Sequence, residues 1–419
     1  MRVPFSSWSL GVVLGLLSLL AGCAHQLPAP LPYDPPGSTD TRDRIIERQV
    51  KRTIGFRKAG VWASNEFEGA RLNDFIQLND TLFVAHIRPE NAPINNSPWY
   101  AFQIWSDIPR TVWVQLTYRQ GKHRYIPKLS QDGKHWRPIA AEDYRPDTTS
   151  GTAYIRLSLG PEPLWVSAQE LITSSDFEDW IQRLTQYPFV QRSRIGQSVW
   201  GRPIYQLTIG HGVPNYVLII SRQHPPEVTG SLTLMAFIET LADSSSLARR
   251  FRQQFTVVLV PLVNPDGVDE GHWRHNAHGV DLNRDWVAFN QPETRQVRDA
   301  FLRLKQQPEA RFFFGLDFHS TQEDIFYTFA EDIPVQPAGL TEKWLTRLHE
   351  RVPDYALNIE PGGLESPVSK NWFYRAFGIP AVTYETGDEN DREHLRRVAQ
   401  EAAKAFMEVL LEEVGSQAH

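Results

Sequence analysis

The sequence predicts two folded units, a small β-sandwich followed by an α/β domain with a mixed, largely parallel sheet flanked by helices. Short alternating runs separated by Asn, Asp, Gly and Pro fill roughly residues 62–166, which is typical of sandwich strands. From Glu170 onward, longer apolar runs alternate with helical patterns, the order of elements found in α/β domains. We expect a signal peptide (1–22), a Pro-rich tether (23–45), the sandwich (46–168) and the α/β domain (169–419).

Length and charge restrict the classes of function. A chain of 419 residues is long enough for two domains with full cores, and 41% hydrophobic with 22% charged residues is ordinary for a soluble protein. The net charge of −6 and the lack of basic runs argue against a nucleic acid partner. We expect a monomer.

The N-terminus has the features of an export signal: Arg2, an apolar core from Leu10 to Leu20 and small residues before Cys23. The segment Leu20-Ala21-Gly22-Cys23 resembles the bacterial lipobox, which implies acylation of Cys23 and attachment to a membrane. Residue 24 is Ala and not the aspartate that commonly retains such proteins at the inner membrane. We therefore expect the protein on the periplasmic face of the outer membrane in a bacterial cell envelope. The alternative is an uncleaved anchor with an incidental Cys23. With one cysteine, no disulfide can stabilise the exported fold.

The N-terminal half is expected to begin with a polar helix over Thr41 to Arg52. Asn79-Asp80 and Gln131-Asp132-Gly133 are hairpin signals. The predicted sandwich strands are Phe75–Gln77, Thr81–Ile87, Trp99–Trp105, Thr111–Tyr118, Tyr125–Leu129 and Ala153–Leu159.

Four apolar runs in the second half lack alternation, which predicts strands buried on both faces. These runs are Tyr216–Ile220, Phe255–Val263, Phe312–Phe318 and Ala381–Thr383. Each ends at polar groups, respectively His224-Pro225-Pro226-Glu227, Asn264-Pro265-Asp266-Gly267, Asp317 to His319, and Glu385. Because ligands bind outside the carboxyl ends of such strands, the convergence predicts one site.

His224 and Glu227 lie where a strand becomes a helix, and they supply two of the three protein ligands that a catalytic zinc needs. His319 is the best third ligand. Taken singly, each has a simpler explanation, such as a surface histidine, a helix-opening glutamate or a core histidine. Glu385 leaves a buried strand beside a glycine and is placed well for a base, although Asp388 or Glu389 would fit an exposed loop acid equally.

The segment from Trp273 to Trp286 places two arginines and an asparagine around a glycine turn: Arg274, Asn283 and Arg284. Guanidinium groups suit a carboxylate, and a further donor suits a developing oxyanion. Together with the strand-end groups, these residues predict a site that binds and hydrolyses a substrate with a free carboxylate.

These motifs in this order resemble the zinc carboxypeptidases of the funnelin type. The residues that carry the resemblance are His224-Pro-Pro-Glu227, Asn264-Pro-Asp-Gly267, Arg274, Gly279 to Trp286, Asp317-Phe-His319-Ser and Thr383-Tyr-Glu385. A preceding sandwich, with Phe67-Glu68-Gly69-Ala70-Arg71 near its start, is similar to the cytosolic carboxypeptidase branch.

The resemblance implies one zinc ion held by His224, Glu227 and His319, with Glu385 as the general base that takes a proton from zinc-activated water. It further implies that Arg274 polarises the scissile carbonyl, and that Asn283 with Arg284 holds the terminal carboxylate of a peptide. Pancreatic members carry a mobile tyrosine before a Gly-Gly pair, whereas here Asn358 has that spacing and Tyr355 lies further back.

The preference for a substrate side chain stays open at the level of sequence. Glu365 would favour a cationic group and Lys370 an anionic one, so an amphoteric residue such as diaminopimelate would suit both. A salt bridge between Glu365 and Lys370 is the simpler alternative.

The function that we expect is a zinc metallocarboxypeptidase that removes the C-terminal residue of peptides. Alternatives are an amidase or carboxypeptidase acting on peptidoglycan stem peptides, with a muropeptide as substrate, and a zinc protein that recognises carboxylates without cleaving them. Deacylation of acyl-amino acids is disfavoured by the Asn283-Arg284 pair.

Overall fold

The computed structural model describes residues 39–417. It confirms a mixed α/β fold that follows a strand-rich N-terminal region. The predicted signal peptide, Cys23 and the tether up to residue 38 lie outside the described residues. Within 39–417, none of the helices combines the length and the hydropathy of a membrane span.

The N-terminal region is a sandwich of two sheets, ordered β1-β2-β5-β11-β7-β8 and β3-β4-β6-β10-β9. Its strands are β1 (Thr53–Phe56), β2 (Val61–Ser64), β3 (Asp74–Gln77), β4 (Leu82–Ile87), β5 (Ala101–Ser106), β6 (Arg110–Tyr118), β7 (Lys128–Ser130), β8 (Arg137–Pro138), β9 (Tyr144–Asp147), β10 (Thr152–Leu159) and β11 (Leu164–Ser167). Both predicted hairpin turns are confirmed, since β3 pairs with β4 and β7 with β8 in antiparallel register. Buried and more exposed residues alternate along β6 and β10, so every second side chain of these strands lies in the core between the two sheets.

The helix predicted over Thr41 to Arg52 is wrong. This segment is extended, and its backbone bonds with distant loops instead of with itself: Arg44 N–H donates to the carbonyl of His278 at 2.7 Å, and Arg52 N–H to Asn65 Oδ1 at 2.7 Å. Thr41 is buried, and its carbonyl accepts from Gln291. Tertiary contacts to both domains therefore override the local helical preference.

The second half alternates strands and helices around one large sheet. Its elements are α1 (Ser174–Leu184), β12 (Val190–Gln197), β13 (Pro203–Ile209), β14 (Asn215–Ser221), α2 (Val228–Ala242), α3 (Ser246–Gln254), β15 (Thr256–Val260), α4 (Pro265–Asp269), α5 (Pro292–Leu304), β16 (Arg311–Thr321), β17 (Ile325–Phe329), α6 (Leu340–Arg351), β18 (Ile359–Gly362), α7 (Ser369–Phe377), β19 (Ala381–Gly387) and α8 (Arg392–Gln417).

The eight strands of this sheet are ordered β12-β13-β15-β14-β16-β19-β17-β18. The central strands β15, β14, β16 and β19 are mutually parallel, and the four apolar runs of the sequence form them. β14 and β15 are buried along their whole length, as continuous apolar runs predict. Their carboxyl ends therefore meet at one edge, where the candidate site lies.

The two domains share a hydrophobic interface. Trp273, from the loop after α4, is fully buried and packs within the core of the sandwich. Its indole Nε1 donates to the carbonyl of Trp99 at 3.1 Å. Val228, at the start of α2, packs in the same core. Truncating a buried tryptophan costs about 3–5 kcal/mol, so this contact holds the sandwich firmly against the second domain.

Candidate metal centre and active site

Three predicted ligands, His224, Glu227 and His319, meet at the carboxyl ends of two neighbouring strands. His224 lies in the loop after β14, Glu227 is the N-cap of α2, and His319 lies near the end of β16. Because β14 and β16 pair in parallel register, the loop and the strand end are adjacent. One candidate ligand atom of each residue lies within 4.8 Å of the other two.

The loop that carries His224 is fixed from beneath. Arg222 has φ of +54°, a left-handed conformation that turns the chain sharply after the strand. Its buried guanidinium donates from Nε to the carbonyl of Pro225 at 3.0 Å and from one terminal nitrogen to Ser231 Oγ at 2.8 Å. The loop therefore has little freedom to rearrange.

Both imidazoles are oriented as metal ligands. Nδ1 of His224 lies 2.7 Å from Oε1 of Glu227 and Nδ1 of His319 lies 2.7 Å from its Oε2, so both nitrogens face the same carboxylate. On the outer side, Nε2 of His224 donates to Asp281 at 2.9 Å, and Nε2 of His319 donates to Asp317 at 2.7 Å. Carboxylates behind the imidazoles of a metal site commonly fix the tautomer and the ring orientation in this way.

The charge around the two imidazoles also suits a cation. Burial opposes ionisation of Glu227, but His224 and His319 outweigh it and hold its pKa well below the usual range. For His319, burial is outweighed by Asp317 and Glu227, which raise its pKa well above the usual range. Two imidazole nitrogens and a carboxylate are donors that zinc accepts, so the residues present fit this ion.

Glu385 lies beside the cluster on the neighbouring strand β19, in register with His319. Its Oε2 is buried and has no hydrogen-bond partner. Burial raises the pKa of this carboxyl above its usual range, against the opposing charges of His319 and Arg274. A carboxylate oxygen that has no hydrogen-bond partner and lies beside candidate metal ligands can accept a proton from a reacting group.

Arg274 lies on the other side of the cluster. Its Nε donates to Asp281 Oδ2 at 2.9 Å, and one terminal nitrogen lies 3.7 Å from Glu227 Oε1. Asp281 therefore contacts both His224 and Arg274, one with each carboxylate oxygen. The guanidinium lines the cavity in front of the candidate ligands.

The two residues predicted to bind the terminal carboxylate, Asn283 and Arg284, both line the cavity, and they have different hydrogen-bond partners. Asn283 Oδ1 accepts from Ser369 N–H at 3.0 Å, and Nδ2 lies 3.5 Å from His319 Nε2. Arg284 donates from one terminal nitrogen to the carbonyl of Asn283 at 3.0 Å. Ser369 thus fixes the amide of Asn283 in place.

The cavity has a volume of about 470 Å³, within the range of small-molecule and peptide pockets. One wall comes from the sandwich, through Asn95, Ser97 and Arg124. Arg124 pairs with Asp388 at 2.6 Å, three residues beyond Glu385, so the sandwich also holds the end of β19.

Glu365 and Lys370 both line the cavity. The prediction of a salt bridge between them is wrong. The ammonium of Lys370 instead donates to the carbonyl of Thr328 at 2.8 Å and lies 4.0 Å from the ring centroid of Phe329. Burial lowers the pKa of Lys370 to about 8. Tyr355 packs in the hydrophobic core beside Phe326, away from the lining residues, whereas Tyr327 lines the cavity.

No role was assigned from the sequence to Asp281 or Arg124, and Asp317 was named only as one of the groups at the end of its strand. Asp317 had a usable signal, since a residue two positions before His319 shares its face of a strand. Asp281 lies 57 positions from His224, and Arg124 lies 264 positions from Asp388, so no local pattern connects either pair.

A buried His-Glu-His cluster at the carboxyl edge of a mixed sheet, with an unpartnered carboxylate beside it, defines a metal-dependent hydrolase. The family model for zinc carboxypeptidases (Peptidase_M14) matches residues 177–411. The chain belongs to this zinc carboxypeptidase family, which places it among the metallopeptidases.

Among curated relatives, the chain is similar to an uncharacterised protein of Zymomonas mobilis, 24% identical over 353 residues, which are 79% of this chain and 89% of that protein. It is 30% identical to mouse (Mus musculus) cytosolic carboxypeptidase 6 over 61% of this chain, but spans only 52% of that relative's length. Among solved structures, a metallo-carboxypeptidase from Burkholderia cenocepacia aligns with a TM-score of 0.70 at 19% identity, over 84% of this chain and 99% of that one. That alignment covers the sandwich as well as the α/β domain, and it supports the fold of both.

Proposed function

We propose that the protein removes C-terminal residues from peptides, with one zinc ion held by His224, Glu227 and His319. Zinc bound there supplies Lewis acidity, which makes water a stronger acid and a carbonyl a stronger electrophile. The single observation that carries the catalytic assignment is the buried Oε2 of Glu385, unpartnered and on the strand beside His319.

Glu385 takes the proton of the attacking water and then passes it to the leaving amine. A carboxylate whose pKa is raised by burial is a stronger base than an exposed one, so it takes the proton of water more readily. Arg274 donates to the carbonyl oxygen as negative charge develops on it, while Asp281 keeps the guanidinium in position.

Arg284, with Asn283 beside it, binds the free carboxylate of the substrate. A guanidinium forms paired, charge-assisted hydrogen bonds with a carboxylate, and an internal peptide bond offers no such group. The arrangement therefore favours cleavage one residue from the C-terminus.

Replacement of Glu385 by Gln tests this function. The amide keeps the shape of the carboxylate but cannot take a proton, so kcat is expected to fall by about 10²–10⁴-fold with zinc content unchanged. Release of C-terminal residues from a peptide library, followed by mass spectrometry with zinc added or chelated, gives activity and metal dependence together. Unchanged turnover in Glu385→Gln would remove the base assignment. Binding of peptides without any release by the wild-type protein would favour a non-catalytic carboxylate receptor.

A second candidate substrate is the stem peptide of peptidoglycan. The observation that favours it is that Lys370 and Glu365 both line the cavity without pairing with each other, which leaves one group of each sign for an amphoteric side chain. Muropeptides and sugar-free peptides compared in the same assay would separate the two substrates. This candidate requires the envelope location that the lipobox-like segment ending at Cys23 suggests, which we also propose.

A further inference from the structure

A buried carboxylate of the sandwich accepts hydrogen bonds from the backbone at Arg274 and its two neighbours. Glu90, in the loop after β4, is fully buried. Its Oε2 accepts from Trp273 N–H at 2.7 Å, and its Oε1 accepts from Arg274 N–H at 3.0 Å and His275 N–H at 2.7 Å. Three consecutive backbone donors thus converge on one side chain from the other domain.

Glu90 is ionised in this setting. Burial disfavours the charge, but the nearby His272, His275 and Arg71 and the Trp273 N–H outweigh it and lower the pKa of Glu90 to about 2. The three backbone N–H groups stabilise the ionised form further, because hydrogen bonds to a charged acceptor are stronger than neutral ones.

A second contact fixes the same stretch. The indole of Trp273 is inserted into the sandwich core, and its Nε1 donates to the carbonyl of Trp99. Arg274 is the next residue, and its guanidinium is directed back to Asp281 beside the metal cluster. The peptide backbone at Arg274 is therefore held by the sandwich, while its side chain acts in the α/β domain.

We propose that Glu90 is a positioning residue for Arg274, so that the sandwich sets the place of the guanidinium that meets the developing oxyanion. This inference rests on the role of Arg274 in the proposed function. It gives the sandwich a part in the chemistry in addition to forming one wall of the cavity.

The test is a double-mutant cycle with Glu90→Gln and Arg274→Ala in the full-length protein. Glu90→Gln keeps the size of the side chain but turns an amide NH₂ towards backbone donors. Since misplacing a catalytic group by about 1 Å can cost about a hundredfold in rate, we expect kcat to fall by about ten- to a hundredfold. We expect KM to change by less than about threefold, because a contact made only in the transition state is lost.

In the Arg274→Ala background, Glu90→Gln should lower kcat by less than about twofold, since the two residues act through one group. Asp269→Asn is the matched control: Asp269 is also buried, and it accepts from Ser174 N–H at 2.9 Å at the start of α1. This control should lower the melting temperature and leave kcat within about twofold. Zinc content is measured for every variant.

The outcomes distinguish a failure of the proposed role of Arg274 from a failure of the role of Glu90 alone. A kcat unchanged by Arg274→Ala would overturn both the role of Arg274 and this inference. If Arg274→Ala lowers kcat, and Glu90→Gln then lowers it by the same factor in the Arg274→Ala background as in the wild type, only the inference is overturned. Glu90 would then be a merely structural residue. If Glu90→Gln does not fold, Glu90→Asp takes its place in the cycle, because it keeps the charge and withdraws the carboxylate by one methylene group from the three backbone donors.

Discussion

Nε2 of His224 donates to Asp281 Oδ1 at 2.9 Å, and this contact connects a candidate metal ligand to the carboxylate that also holds Arg274. The other oxygen of Asp281 accepts from Arg274 Nε. Burial opposes the ionisation of Asp281, but Arg274 and His224 outweigh it and hold its pKa well below the usual range. One carboxylate thereby orients a candidate ligand and a candidate catalytic guanidinium.

Replacement of Asp281 by Asn should therefore weaken two functions at once. Loss of a carboxylate behind a ligating histidine typically costs about ten- to a hundredfold in metal affinity or activity. We expect zinc affinity, measured by competition with a chelator, to fall within that range. With zinc saturating, kcat should still be reduced because Arg274 has lost its partner. Asp269→Asn, the control described above, should leave zinc affinity unchanged, and a wild-type affinity in Asp281→Asn would contradict this role.

Arg284 is expected to select substrates with a free C-terminal carboxylate. Arg284→Ala should raise KM by at least about tenfold, since a hydrogen bond to a charged group contributes about 1.5–3 kcal/mol. The control lies in the substrate: a peptide with an amidated C-terminus cannot use the guanidinium, so its slow cleavage should not respond to the substitution. Equal losses for both peptides would show that Arg284 does not bind the carboxylate.

Lys370 and Glu365 should divide the preference for the substrate side chain. Lys370→Met should lower kcat/KM for peptides that end in an acidic or amphoteric residue, and Glu365→Gln for those that end in a basic or amphoteric one. A neutral C-terminal residue should respond to neither change by more than about twofold. Identical profiles for both variants and the wild type would place the side-chain pocket elsewhere.

The same lysine predicts a dependence on pH. Burial lowers the pKa of Lys370 to about 8, so its ammonium is charged below that pH and neutral above it. The wild-type preference for an acidic over a neutral C-terminal residue should therefore decline as pH rises through about 8. In Lys370→Met the ratio of the two kcat/KM values should not change over this range. A wild-type ratio that is flat from pH 7 to 9 would contradict the contact.

Acylation at Cys23 predicts where the protein fractionates. Cys23→Ser should move the protein from the membrane pellet to the soluble fraction and abolish incorporation of labelled palmitate. The wild type is expected to stay with outer-membrane markers on a density gradient. A serine variant that still sediments with membranes would favour the alternative of an uncleaved anchor.

The parts that the sequence predicted well are those with a short-range signal. Continuous apolar runs indicated the central strands, and groups at their ends indicated His224, Glu227, His319 and Glu385. Short apolar or alternating runs indicated the sandwich strands β3, β4, β5, β6 and β10 and part of β7, whereas β1, β2, β8, β9 and β11 were not predicted. The sequence placed His224 and Glu227 where a strand becomes a helix, and the structure has His224 in the loop after β14 and Glu227 as the N-cap of α2.

The parts that could not be predicted depend on contacts between distant segments. The extended course of residues 41–52 follows from bonds to His278 and Asn65 in other loops, which no window of the sequence contains. Glu90 lies 184 positions from Arg274, and nothing around it distinguishes it from an exposed acid. The separation of Lys370 from Glu365 likewise depends on the carbonyl of Thr328 and the ring of Phe329.

Diffraction at the zinc absorption edge can show whether His224, Glu227 and His319 bind a single zinc ion. We expect one anomalous peak per chain, lying between Nδ1 of His224, Nδ1 of His319 and the carboxylate of Glu227. A protein supplied with zinc that shows no peak there, or in which the ion is held by other residues, would contradict it.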